Sequence, residues 1–130
     1  MELTQDDLRF LRHFRDALSG DEARLRESQR LLSEDPGRAL GRNAACAFVR
    51  ATDLLARAAR RPLSFATGLS PSADERRVIA VARALADRRE GEAEAAARWL
   101  VRGDASARLL AMLRPAVAAI YLSQIVRRAA

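Results

Sequence analysis

Residues 36–61 read PGRALGRNAACAFVRATDLLARAARR, and the angular sorting of this stretch decides the fold. A helix turns about 100° per residue. With Arg38 set at zero, Leu40, Ala44, Ala47, Phe48, Ala51, Leu54, Leu55 and Ala58 fall in one arc, from about 160° to 280°. Arg38, Arg42, Arg50, Arg57, Arg60 and Arg61 fall in another, from about 0° to 140°. One face therefore seeks a core and the other is cationic, with Asp53 the single acid of the stretch. The alanines permit close approach of a neighbouring helix, while Phe48, Leu54 and Leu55 supply volume. Gly41 weakens the first turns by about 1 kcal/mol relative to Ala, which moves the expected start of regular helix towards Arg42 or Asn43.

Around this helix the punctuation is helical throughout. Thr4 with Asp7 three residues on predicts an N-terminal cap, and Leu3, Leu8, Leu11, Phe14 and Leu18 recur at helical spacing up to Ser19-Gly20. Gly20 or Asp21 can cap a shorter helix over Glu22–Ser33, which ends before Asp35-Pro36-Gly37. After Pro62 the segment LSFATGLSPS reads as the longest loop, with Leu63, Phe65 and Leu69 pinning it over the core. Ser72 and Glu75 form a capping-box pattern, followed by Val78, Ile79, Val81, Ala82 and Leu85. Gly91 predicts a bend or a break between two helices, with Trp99, Leu100 and Val101 packing beyond it. Gly103-Asp104 is the next break, with Asp104 as cap. Pro115 should kink or split the last helix. No internal repeat is read from the letters.

The whole reads as an all-α, single-domain bundle over residues 1–130, of five or six helices. With 49% hydrophobic but only 5% aromatic residues, its core is built from Ala, Leu, Val and Ile. Pro115 to Val126 carries no charge. A helix apolar all round is either the centre of the bundle or partly a subunit seam. Leu113, Val117, Ile120, Tyr121 and Ile125 are the candidate seam, and a two-fold dimer is the expected assembly.

The net charge of +6 invites a nucleic-acid reading, but all 23 basic residues are Arg, a compositional bias. Their placement says more. Residues 36–70 hold 6 Arg against 1 acid, whereas residues 1–35 hold 6 against 9. Arg42, Arg50, Arg57, Arg60 and Arg61 are the candidate phosphate-tracking residues, set against a merely solvated face. No aromatic interleaves with them, which argues against stacking on single strands. The AAARWLVRGDASARLLAMLR segment has the order of a helix-turn-helix, but Trp99 falls where a small residue is usual.

Cys46 lies between Arg42 and Arg50, which would lower a thiol pKa; the alternative is an ordinary half-buried cysteine. His13 reads as a surface residue beside Arg12. One His and one Cys cannot build a structural zinc site, and no cofactor or metal is expected. A single cysteine, no signal-peptide pattern and no apolar run of about 18 residues predict a cytoplasmic chain without a membrane span. Three function classes follow. The first is a non-enzymatic regulatory or adaptor protein acting through protein–protein contacts. The second is a nucleic-acid-binding regulator. The third is a bundle with a small-molecule pocket under the Leu63–Pro71 loop.

Overall fold

Residues 2–34, 38–65 and 68–122 are described by the computed structural model, and among them lie six α-helices. These are α1 (Gln5–Ser19), α2 (Glu22–Glu34), α3 (Arg38–Ala58), α4 (Ala73–Ala86), α5 (Glu90–Leu100) and α6 (Ser106–Val117). A 3-10 turn, Gly103–Ala105, leads into α6, and a π-helical turn, Ala118–Leu122, continues it. The protein is all-α, and one isolated antiparallel bridge, Ala59 to Val101, ties the ends of α3 and α5. No helix among the described residues is long and apolar enough to cross a membrane.

The helices form two sets of three with a single spacing. α4, α5 and α6 begin 68 residues after α1, α2 and α3 (5 to 73, 22 to 90, 38 to 106). Local chemistry recurs at the same offset. Thr4 and Ser72 each cap a helix, and each shares a full capping box with the acid three residues on, Asp7 or Glu75. Gly20 (φ 66°) and Arg88 (φ 59°) are the positive-φ residues among the described residues, and each makes the turn between its first and second helix. The left-handed conformation is easy for Gly20 and costs about 1–2 kcal/mol at Arg88. Asp6–Arg9 and Asp74–Arg77 are matching ion pairs one helical turn apart. Leu32 and Leu100 are matching buried leucines near the ends of α2 and α5. The expectation of a chain without internal repeat is corrected: caps, turns and burial recur while most letters do not.

The two units clasp each other head to tail. Arg83, near the end of α4, reaches Asp7 at the start of α1, with Nε 2.8 Å from Oδ2 and 3.0 Å from Oδ1. Arg15, late in α1, reaches Glu75 at the start of α4, with Nε 2.7 Å from Oε2 and Nη2 2.9 Å from Oε1. Each acid thus serves its own helix as a cap and the other unit as an anchor. Both carboxylates are fully buried. The central packing is α3 against α6, and one buried cluster runs from Phe10 and Phe14 through Phe48, Leu54 and Ile79 to Leu109 and Ile120.

The units differ where Gly41 lies. α3 is regular from Arg38, not from Arg42, because Gly41 is used for contact rather than as a break. A Cβ there would stand 2.4 Å from the Leu32 carbonyl oxygen and 2.6 Å from Ser33 Cα. α2 is therefore drawn backbone-close onto α3 and packs little on α1, whereas α5 packs extensively on α4 through Ala93 and Ala97. At the position equivalent to Gly41 stands Leu109, which holds α5 and α6 further apart.

Several other expectations are settled by position. α4 and α5 break at Asp87–Arg89 rather than at Gly91, which lies inside α5. Asp104 does not cap α6, which starts without a side-chain cap, and Ser106 Oγ donates back to the Gly103 carbonyl at 2.9 Å. α6 runs through Pro115 and then widens into the π turn, one way of absorbing a missing N–H. Trp99 is 64% exposed under the Arg77 guanidinium, 5.5 Å from its ring, and does not join the core. Leu113, Val117, Ile120 and Tyr121 are buried by this chain's own helices. These four side chains are thus taken up by this chain's own core. Ile125 lies outside the described residues.

Candidate functional site

The uneven packing of the first unit opens a cleft of about 280 Å³ between α1, α2 and α3. Its apolar walls are Ala17 of α1, Leu25 of α2, and Ala45, Phe48 and Val49 of α3. Cys46 and Arg50 stand at its edge, both exposed. Three uncharged polar residues also line it: His13 and Ser28, both buried, and Gln29, exposed. The equivalent positions in the second unit are Val81 for His13, Leu85 for Ala17, Ala96 for Ser28 and Leu113 for Ala45. Val81, Leu85 and Leu113 are buried there as ordinary core. The same three-helix plan is thus filled with aliphatic side chains in one copy and left open, with a polar pair, in the other.

His13 Nδ1 and Ser28 Oγ share a hydrogen bond of 2.5 Å. The imidazole ring is only 4% exposed and lies 5.8 Å from the Phe48 ring. Burial, then the charges of Arg12 and Arg9, pushes its pKa down from 6.5 to about 4. The ring is neutral at neutral pH, so the pair offers one donor and acceptor set inside an apolar wall. A third, orienting carboxylate is missing among the described residues. Asp16, one turn along α1, accepts from Arg24 Nε at 3.0 Å. No group of three potential metal ligands occurs among the described residues.

The titration of His13 has a measurable consequence. The folded state resists a proton that the unfolded chain takes up below pH 6.5, so this contribution to stability is full above 6.5 and falls as pH drops towards 4. The total loss is on the order of 3 kcal/mol at 1.36 kcal/mol per pKa unit. Urea midpoints across that window should fall in the wild type, and His13→Gln should flatten that part of the slope. An unchanged slope in the variant would assign the acid sensitivity to another group.

The expectation of a surface His13 is corrected. The signal was available: Phe10, His13, Phe14 and Ala17 share one stripe of α1, and Leu25, Ser28 and Leu32 one stripe of α2. Cys46, read as lowered in pKa or half-buried, is exposed. The five candidate arginines divide. Arg42, Arg50 and Arg57 are exposed on α3 with no carboxylate partner among the described residues. Arg60 instead donates from Nε to the Arg98 carbonyl at 2.6 Å. Arg61 pairs with Asp74 at 2.6 Å and holds that carboxyl below its ordinary range. Asp74 also accepts from the Ser64 N–H, which anchors the start of the loop after α3.

A larger cavity, about 740 Å³, lies beside that loop, lined by Leu8, Leu11, Arg12, Phe65 and Leu69 among others. This is the site expected under residues 63–71. Most of its polar lining is already satisfied within the chain: Arg15 by Glu75 and the Gly68 carbonyl, Arg24 by Asp16. The smaller cleft, mostly apolar with the mutually hydrogen-bonded His13 and Ser28 in its lining, has the composition of a ligand site. Comparison with protein-family models, curated proteins and solved structures yields no match to this chain.

Proposed function

We propose that this protein is a non-enzymatic small-molecule-binding helical bundle, and that its ligand is a small, largely apolar molecule held between α1, α2 and α3. The observation that carries this reading is the contrast between the two units: His13, Ala17, Ser28 and Ala45 stand where the other copy has Val81, Leu85, Ala96 and Leu113. Of these four differences, Ala17 and Ala45 for Leu85 and Leu113 leave space that core packing would fill, and His13 and Ser28 for Val81 and Ala96 put polar groups beside it. Of the grounds for the adaptor reading, the surplus apolar face is weakened, because Leu109, Leu110, Leu113 and Val117 of α6 are buried in the core. The nucleic-acid reading retains Arg42, Arg50 and Arg57, while Arg60 and Arg61 are engaged in structural contacts.

The test uses the full chain with 1-octanol as a neutral apolar probe, followed by protection of Cys46, the single cysteine, from alkylation. Octanol should slow alkylation of the wild type. Ala17→Leu, which introduces the residue of the second unit, should weaken octanol binding by about tenfold or more and leave the fold intact. If octanol neither protects Cys46 nor shifts signals of cleft residues in NMR spectra, the reading fails.

A further inference from the structure

A second groove, of about 470 Å³, runs along the other side of α3 against α6. Its floor is apolar, made by Ala47, Ala111, Met112 and Pro115, and its charged lining is Arg50 and Arg108. The cleft and the groove share two residues, Cys46 and Arg50. They therefore meet over one turn of α3. No carboxylate lines either cavity, and neither Arg50 nor Arg108 has a carboxylate partner among the described residues. The loop cavity differs in that Asp16 lines it and two of its arginines, Arg15 and Arg24, are paired with Glu75 and Asp16. Two guanidinium groups with open forks line the groove, one of them, Arg50, also at the edge of the cleft, and they suit a carboxylate, which a guanidinium binds in bidentate fashion.

We infer that the ligand is a single-chain anionic amphiphile: its apolar body lies in the α1–α2–α3 cleft and its carboxylate crosses the Cys46 turn to sit between Arg50 and Arg108. This deepens the ligand-binding reading and rests on it. Charge complementarity selects the acid over a neutral amphiphile of the same length. The cleft contributes affinity through burial, and the two arginines contribute selection through charge-assisted hydrogen bonds. Arg50 is the hinge of the arrangement because it borders both cavities.

The experiment compares octanoate with 1-octanol on the full chain at low salt, by calorimetry and by protection of Cys46. Octanoate should bind about tenfold more tightly than octanol, and the difference should shrink as salt is raised. Arg50→Gln with Arg108→Gln, both at exposed positions, should bring octanoate down to the level at which the same variant binds octanol, and Arg108→Gln alone, outside the cleft, should weaken octanoate and leave octanol unchanged. Equal binding of the two probes by the wild type overturns the assignment of an acidic ligand, while the cleft reading stands. Tight octanoate binding that survives the double substitution overturns the placement of its carboxylate. Failure of both probes overturns the cleft reading as well.

Discussion

Arg83→Met should destabilise the protein by about 3–5 kcal/mol at neutral pH, and the loss should shrink on acidification. The reason lies in the balance at Asp7. Burial is the largest single influence on that carboxyl and pushes it towards the neutral form. The Arg83 guanidinium, the Thr4 N–H at 2.8 Å and the Tyr121 hydroxyl at 2.8 Å together outweigh it, and the pKa lies below its ordinary 3.8. With Arg83 intact, Asp7 contributes stability that is present above pH 3.8 and is lost only as pH falls through the still lower folded value. With Arg83 removed, the largest influence opposing burial is gone, and the folded pKa rises from its lowered position. The carboxylate then contributes less at neutral pH, and protonation narrows the difference. Denaturant midpoints of wild type and Arg83→Met should therefore lie far apart at neutral pH and converge as the pH approaches 4. A gap that stays constant with pH would mean that Arg83 acts through packing of its aliphatic stem. Asp7→Asn placed in the Arg83→Met background should recover part of the loss, since removing both charges costs less than stranding one.

The same site shows what a single sequence reveals. Thr4-x-x-Asp7 and Ser72-x-x-Glu75 are local patterns, and both helix starts were legible from them. Their second role was not, because the partners lie far along the chain: Asp7 to Arg83 spans 76 positions and Glu75 to Arg15 spans 60. No periodicity encodes which exposed-looking Arg will fold back on which cap. The repeat was hidden for a related reason. A left-handed turn is announced by Gly20, but its twin at Arg88 carries a residue that does not advertise it. The uncharged run after Pro115 left centre and seam equally open, since both bury an all-apolar helix. Only the packing of α3, α4 and α5 around α6 puts the part of the run up to Tyr121 in the core. Of the candidate site, the cationic face of α3 was legible and its division into free and structural arginines was not. His13 and Ser28 were legible only as members of apolar stripes, and that signal was outweighed by the ordinary preference of both residue types for the surface.

Gly41→Ala should cost about 3 kcal/mol, whereas Gly91→Ala should stabilise by up to about 1 kcal/mol. Both glycines lie inside helices, and both substitutions improve helix propensity. The environments give the opposite signs. At Gly91 an added Cβ meets nothing within 4 Å. At Gly41 it meets backbone, the Leu32 carbonyl carbon at 2.6 Å and oxygen at 2.4 Å, which cannot swing aside as a side chain would. The end of α2 must then move off α3, and Leu32, almost fully buried, is displaced with it. That displacement also reaches the cleft, because Leu25, Ser28 and Gln29 of α2 form one of its walls. Gly41→Ala should therefore weaken octanol binding in protein that is still folded, at denaturant-free conditions, while Gly91→Ala should leave binding unchanged. Thermal denaturation and the Cys46 protection assay separate the two effects. Loss of stability with unaltered binding would place the cleft on α1 and α3 alone and make α2 a spectator. Loss of both would establish that the close α2–α3 contact, made by one missing methyl group, is what holds the cleft open.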